Sequence, residues 1–312
     1  MLNATIDRFA LASVQKRDDR CVEFCSTDLD VTDRVDASAS MSSAEGLRLH
    51  RGVYKRLMDQ FNGGEYIPLT LTTHVDSPLG SGLGSSSALV VAMIEALREI
   101  VRAPLGEYEV ARLAFDIERR DLALQGGKQD QYAATFGGFN FIEFERDGHV
   151  IVNPLRVKSW IVNELEASLV LFFTGASRES SAIIEKQSAN VSIGGGALDA
   201  MHELKDNAVR MKQALLLGDM PNLATLLEEG WQAKKRTSPA VANSEIDQIY
   251  EIARANGAQA GKISGAGGGG FFMFIADPVH RPQLIKRLSQ IPTGSVEVCR
   301  FTSDGVATWR SR

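Results

Sequence analysis

The chain has 312 residues, 44% hydrophobic and 23% charged, with a formal net charge of -5, enough apolar material for one large domain or two smaller ones. A net negative chain whose one basic cluster is Lys234-Lys235-Arg236 is poorly equipped to neutralise nucleic-acid phosphates. The longest apolar run, Ala88 to Ile94, is too short to span a bilayer and the N-terminal segment has no basic leader followed by an apolar core, so a cytoplasmic protein without nucleic-acid or membrane partners is expected.

Residues 5 to 36 alternate in short segments broken by charged turns, the pattern of strands. A helix is predicted over 47 to 61, ended by Asn62-Gly63-Gly64. Tyr66 to Thr73 alternates as a strand and runs into the glycine- and serine-rich segment Ser77 to Ser87, from which a long helix continues to Val101, followed by another over 106 to 121. Past the glycine-rich stretch from Gly126-Gly127 to Gly137-Gly138, strands are predicted at 139 to 145, 149 to 155 and 167 to 173. Residues 178 to 256 are mostly helical by period, interrupted by Gly194-Gly195-Gly196, Gly218 and Pro239. The chain then returns to strand (Ala258 to Ile263), a glycine loop (Gly265 to Gly270), strand (Phe271 to Ala276), helix (280 to 290) and strand (Ser295 to Phe301).

Cys21, Cys25 and Cys299 form neither an even disulfide set nor a paired zinc spacing, which leaves reduced, structural thiols. His50, His74, His149, His202 and His280 are scattered without metal-binding spacing.

The segment Pro78 to Ser87 lies between a predicted strand and a predicted helix, where free N–H groups and the helix dipole attract anions. Gly80, Gly82 and Gly84 let backbone amides close around a phosphate without Cβ atoms in the way. No Gly-Lys-Ser/Thr follows, so this is not a Walker loop, and a flexible connection with Ser85 as N-cap is the plainer alternative. Gly265 to Gly270 contains a literal GxGxxG after a strand, which raises a dinucleotide-binding fold. That fold requires a helix after the glycines, whereas Phe271-Phe272-Met273-Phe274-Ile275 reads as strand. Phosphoryl transfer needs a group to orient or deprotonate the attacking hydroxyl and a metal to neutralise phosphate charge; Glu118, near a helix end, and Asp130, in the loop Gly126 to Tyr132, can supply two carboxylates, although lone carboxylates are more often solvated surface groups.

PLGSGLGSSSA resembles the phosphate-binding motif of the GHMP kinases, the family of galactokinase, homoserine kinase and mevalonate kinase. The resemblance implies that Pro78, Gly80, Ser81, Gly82, Leu83, Gly84, Ser85 and Ser86 cradle the phosphates of ATP, with Ser86 (Ser85 as alternate) a Mg²⁺ ligand. Asp130-Gln131 between glycine pairs is similar to the motif whose aspartate is the catalytic base, with an upstream helix glutamate, here Glu118, as second Mg²⁺ ligand; Lys128 is the candidate for stabilising transferring charge. KISGAGGGG resembles the third motif of the family, a glycine turn beside the first loop, which places Gly265, Gly267 and Gly268 at the substrate.

The implied fold is a two-domain α+β GHMP kinase fold: an N-terminal α/β domain with a left-over-right β-α-β phosphate loop over 1–160, its first strand missing, and a ferredoxin-like α+β C-terminal domain over 161–312. The stretches GGKQDQYAATFGGFNFIEF, NPLRVKSWIVNELEASLVLFFTG and KISGAGGGGFFMF resemble bacterial D-glycero-D-manno-heptose 7-phosphate kinases, with the likeness running from Leu2 to Trp309. The implied reaction phosphorylates the C1 hydroxyl of the heptose phosphate in surface-polysaccharide synthesis, by a monomer or homodimer, with Arg178 and Lys234-Lys235-Arg236 as candidate phosphate partners. Family members begin with a strand and a Gly-Gly-Gly-Thr-Asp turn, whereas this sequence starts just after that point: either the start codon is assigned too late, or the element is lacking and loss of one wall of the sugar pocket with weak activity or instability is expected. The alternatives are a kinase for another sugar such as fucose, a nicotinamide-dependent oxidoreductase, and a non-catalytic nucleotide-binding member.

Overall fold

The computed structural model describes residues 1–38, 41–78, 80–175 and 180–311. Its contacts define two units that interleave along the chain: a C-terminal unit of Met1–Asp7, Leu79–Leu83 and Gly138–Ser303, and an N-terminal unit of Arg8–Pro78, Gly84–Gly137 and Asp304–Arg312. The first strand, β1 (Leu2–Ala4), belongs to the C-terminal unit.

The N-terminal unit is built on β2 (Ala10–Lys16), β3 (Cys21–Ser26), β4 (Val31–Asp36) and β5 (Leu69–Val75), in the order β2-β5-β3-β4. Only β3 and β5 run parallel, because β4 and the helix α1 (Arg48–Phe61) form the crossover between them. Alternation along β5 sends Leu69, Leu71, Thr73 and Val75 inward. There they join Val22 and Phe24 of β3, Val53, Tyr54, Leu57 and Met58 of α1, and Leu89, Val90, Met93, Ile94 and Leu97 of α2 (Ser85–Val101) in one core. Deleting any of the larger of these side chains would cost roughly 2–5 kcal/mol. The remaining helices are α3 (Glu107–Asp116), which passes into a π-helical turn at Ile117–Asp121, and α4 (Gln129–Phe136).

Two helices lie where the sequence pattern indicated none. Asp130 sits in the first turn of α4 rather than in a loop; the helix has eight residues between two glycine-rich segments, and its buried face, Gln131, Tyr132 and Thr135, is largely polar and so carries no apolar period. Likewise α5 (Ser159–Ser168) buries only Ile161 and Leu165 among its large apolar side chains, while Trp160 is exposed.

In the C-terminal unit β1 pairs with β6 (Phe139–Phe144), which pairs with β7 (Val150–Pro154). The second sheet collects β8 (Leu169–Phe173), β9 (Ala258–Ile263), β10 (Phe271–Ala276) and β11 (Ser295–Glu297) in the order β11-β8-β10-β9, all antiparallel. Between β8 and β9 run α6 (Ser180–Ile193), α7 (Gly196–Leu217), α8 (Met220–Thr237) and α9 (Ser244–Ala255), and α10 (Arg281–Leu288) connects β10 to β11. This is the strand–helix–strand–strand–helix–strand arrangement of a ferredoxin-like unit. Trp231, Ile249 and Tyr250 from the helices pack with Phe272 and Phe274 of β10. No helix of the described residues is long and apolar enough to cross a membrane.

One titratable group is buried inside the N-terminal core. His50 is 3% exposed, with its ring nitrogen 2.8 Å from Thr73 Oγ1, and burial pulls its pKa down to about 4 despite Asp28 and Asp33 nearby. The unfolded chain therefore binds a proton near pH 6.5 that the folded chain refuses until about pH 4, so stability is complete above the first value and lost on acidification across that window, by up to about 1.4 kcal/mol per pH unit. Denaturant melts of wild type and His50→Gln at pH 7 and pH 5 are expected to show a smaller acid loss in the variant; equal losses would contradict the assignment.

Candidate functional site

Each unit contributes a group of residues whose positions follow from local backbone structure. In the N-terminal unit, α2 starts at Ser85 behind Gly84, whose φ of +80° is left-handed. Glycine adopts that conformation at no steric cost, but it offers no side chain to cap the helix. No acidic residue occupies the first turn either, so the positive end of α2 is open to an incoming anion. A Cβ at Gly84 would stand 3.2 Å from Cβ and Cγ of Asp130, which places that carboxyl group directly against the mouth of the loop.

The second carboxylate is set by the π turn. Leu122 N–H bonds Ile117 O at 2.9 Å, widening the helix by one residue where α3 ends. Glu118, at that turn, is 1% exposed, and its Oε2 accepts hydrogen bonds from Ser87 Oγ at 2.8 Å and from Gln131 Nε2. The Gln131 amide also donates to Ser87 Oγ at 3.1 Å, so α2, the π turn and α4 each send one side chain to a single buried point. Gln131 Oε1 lies in the same cluster as a buried acceptor with no partner. Arg119 NH1 is 3.8 Å from Glu118 Oε1, and its guanidinium donates to Gly127 O at 3.3 Å, holding the turn that leads into α4.

This arrangement sets the state of Asp130. Burial raises its pKa above the ordinary carboxylate value and Glu118 adds to the rise, while the Gln129 amide and Arg119 oppose it. Lys128, one residue before α4, carries its ammonium 5.4 Å from the centre of the Phe115 ring. Of the serines, Ser86 is half-buried, whereas Ser85 and Ser87 are buried. Neither Ser87 nor Gln131 had a role assigned from the sequence, although Gln131 directly follows Asp130 in the motif.

In the C-terminal unit the second glycine loop connects β9 to β10, and no helix follows it, so a dinucleotide-binding turn is excluded. A Cβ at Gly265 would lie 2.7 Å from Gly82 Cα, and one at Gly82 2.7 Å from Ser264 O. Phe271 N–H reaches Ser81 O at 2.9 Å. The second loop is thus packed backbone to backbone on residues 81 and 82 of the first. Gly268 N–H bonds Val241 O at 2.8 Å, and a Cβ at Gly267 would come within 2.8 Å of the same oxygen. Arg178, the candidate phosphate partner, lies outside the described residues. Among the described residues no cluster of three His, Cys, Asp or Glu side chains could hold a metal ion by itself.

Comparison with known proteins places this geometry. A family model described as the GHMP kinases N terminal domain matches residues 48–138, and one described as GHMP kinases C terminal matches residues 211–292. The chain is 44% identical over 310 residues to a D-glycero-alpha-D-manno-heptose 7-phosphate kinase of Campylobacter jejuni, covering 99% of this chain and 91% of that protein. Two crystal structures are similar throughout. One is of a D-glycero-D-manno-heptose 1-phosphate kinase from Bacteroides thetaiotaomicron, 38% identical, covering 100% of this chain and 90% of the other with a TM-score of 0.84. The second, of a putative sugar kinase from Campylobacter jejuni, is 43% identical, covering 99% and 89% with a TM-score of 0.83.

The packing of the two loops has a measurable consequence. Gly265 and Gly63 share a φ of +64°, but only Gly265 faces another backbone, while Gly63 faces open space. Gly63→Ala should cost about 1 kcal/mol from the left-handed conformation alone, and Gly265→Ala at least about 1 kcal/mol more from displaced backbone. Equal losses in denaturant melts would show that the loops do not support each other.

Proposed function

The chain belongs to the GHMP kinase family, and from that premise we propose that it transfers the γ-phosphate of ATP to the C1 hydroxyl of D-glycero-D-manno-heptose 7-phosphate. Family membership implies ATP as phosphoryl donor, and heptose phosphate kinases aligning over nearly the whole chain support the acceptor class. The observation that carries the mechanism is the Asp130 carboxyl against Gly84, at the open start of α2. A phosphate held by the amides of Gly84 to Ser86 then lies beside a carboxylate able to accept a proton from an attacking hydroxyl.

In this mechanism Asp130 orients the acceptor hydroxyl and takes its proton. Its raised pKa makes it a stronger base than an exposed aspartate. The positive end of α2 stabilises charge on the phosphates, with no capping side chain to displace. Lys128, two residues before Asp130 in sequence, is the candidate for stabilising the transferring charge.

Glu118 and Ser86 would hold Mg²⁺, which when bound neutralises charge on the phosphates of the nucleotide. The residues fit such an ion. Mg²⁺ takes one or two carboxylates, keeps several waters and completes its shell with substrate oxygens, so a full protein cage is not required. Glu118 is a buried carboxylate fixed from one side by Ser87 and Gln131, and the unpartnered Gln131 Oε1 is an acceptor suited to a metal-bound water.

Asp130→Asn preserves the shape of the side chain and removes the base. Turnover of heptose 7-phosphate should fall by about 10²- to 10⁴-fold, while ATP affinity measured by calorimetry changes little. Full activity in the variant would refute the base assignment.

A further inference from the structure

The three consecutive cations that end α8 have different surroundings. Lys235 Nζ lies 3.8 Å from Asp247 and sits over the rings of Trp231 and Tyr250 at 5.7 and 5.9 Å, and Arg236 is paired with Glu203. Lys234 turns the other way. Its ammonium donates to Gly265 O and lies 3.5 Å from Ile263 O, which puts it at the end of β9 where the second glycine loop begins. Lys262, on β9 itself, is close enough for its charge to act on Lys234. Neither ammonium has a carboxylate partner among the described residues.

Both lysines are half-buried, and two neighbouring cations partly withdrawn from water without a counter-charge are costly. Burial pulls the pKa of both below the usual lysine value, Lys234 to about 7 with Lys262 adding to the effect. The adjoining backbone is equally short of acceptors: the N–H groups of Gly265, Ala266 and Gly267 make no hydrogen bond among the described residues. Gly265, Gly267 and Gly268 have φ of +64°, +105° and +76°, left-handed backbone that glycine adopts without strain. One turn before Lys234 on the same helix, Trp231 Nε1 is a buried donor without an acceptor. Two lysines and the start of a glycine turn thus meet where β9 ends, with no carboxylate of the described residues paired to either ammonium.

We propose that Lys234, Lys262 and the amides of Gly265 to Gly267 form a phosphate-monoester subsite for the phosphate the acceptor already carries, separate from the cradle for the nucleotide. A phosphate monoester carries a charge of about -1.5 to -2 near neutral pH, which matches two ammonium groups. The nucleotide phosphates already have the open end of α2, and the second loop adjoins the first at Gly82 without being part of it. The assignment of the occupant rests on the acceptor proposed above; the presence of an anion subsite does not.

The test compares Lys234→Met, Lys262→Met and the charge-retaining Lys262→Arg with wild type. Each Met variant should lower the ratio of kcat/KM for heptose 7-phosphate to kcat/KM for unphosphorylated heptose by about 10- to 100-fold, with Lys262→Arg keeping much of the preference and KM for ATP within about two-fold of wild type. Equal losses on both acceptors, or a loss confined to KM for ATP, would overturn the assignment. A second measurement does not require a sugar: melting temperature against inorganic phosphate, with a non-hydrolysable ATP analogue saturating the first loop. Phosphate should stabilise wild type and not the Met variants, and this result supports the subsite even if heptose 7-phosphate proves not to be turned over. Equal stabilisation of wild type and Met variants would remove it.

Discussion

A carboxylate that is 1% exposed has to be hydrogen-bonded, and Glu118 meets that requirement only where three elements converge. Ser87 comes from the first turns of α2, Gln131 from α4, and Glu118 itself from a π turn that gives the end of α3 one extra residue. Removing any one partner would leave a buried charge or donor unsatisfied, so the cluster fixes the start of α2 relative to α4. That fixed relation brings the Asp130 carboxyl to Gly84. The chemistry proposed for Asp130 therefore depends on a hydrogen-bond cluster that does not itself include Asp130.

The second constraint is steric. Gly82 and Gly265 approach so closely that neither tolerates a Cβ without backbone movement, and Ser81 O accepts from Phe271 N–H. A loop of many glycines would by itself be mobile; packed backbone to backbone on its neighbour, it becomes a surface of defined shape. The same arrangement explains why Lys234 binds the Gly265 carbonyl: the helix end, the strand end and the glycine turn are tied together at one point. Cations left over at that point have a consequence for which substrates the protein can accept.

Much of this was legible in the residues, and what was not has identifiable causes. The helix over Ser85–Val101 and the strand–loop–strand from Ala258 to Ala276 stood out by period and by glycine placement. Asp130 and Glu118 were singled out through their motif context, but the bonds of Glu118 to Ser87 and Gln131 were hidden because polar residues on a buried helical face leave no apolar repeat. The π turn gave no local signal at all, since nothing in Ile117-Glu118-Arg119-Arg120-Asp121 distinguishes five residues per hydrogen-bonded loop from four. Lys234, Lys235 and Arg236 are indistinguishable as a charge run, yet adjacent helical positions point about 100° apart, and that rotation sends one to a glycine loop and two to carboxylates. The placing of β8 between β11 and β10 depends on pairings such as Phe271 with Phe173 and Ser295 with Phe173, 98 and 122 positions apart and beyond the reach of any local pattern.

The most direct measurement is ADP release with ATP and Mg²⁺ against heptose 7-phosphate, unphosphorylated heptose, fucose, galactose, mevalonate and homoserine. Turnover concentrated on heptose 7-phosphate is the predicted result. Equal or better turnover of any unphosphorylated acceptor, or none on the whole panel while ATP still binds, would contradict the assignment of a heptose phosphate kinase.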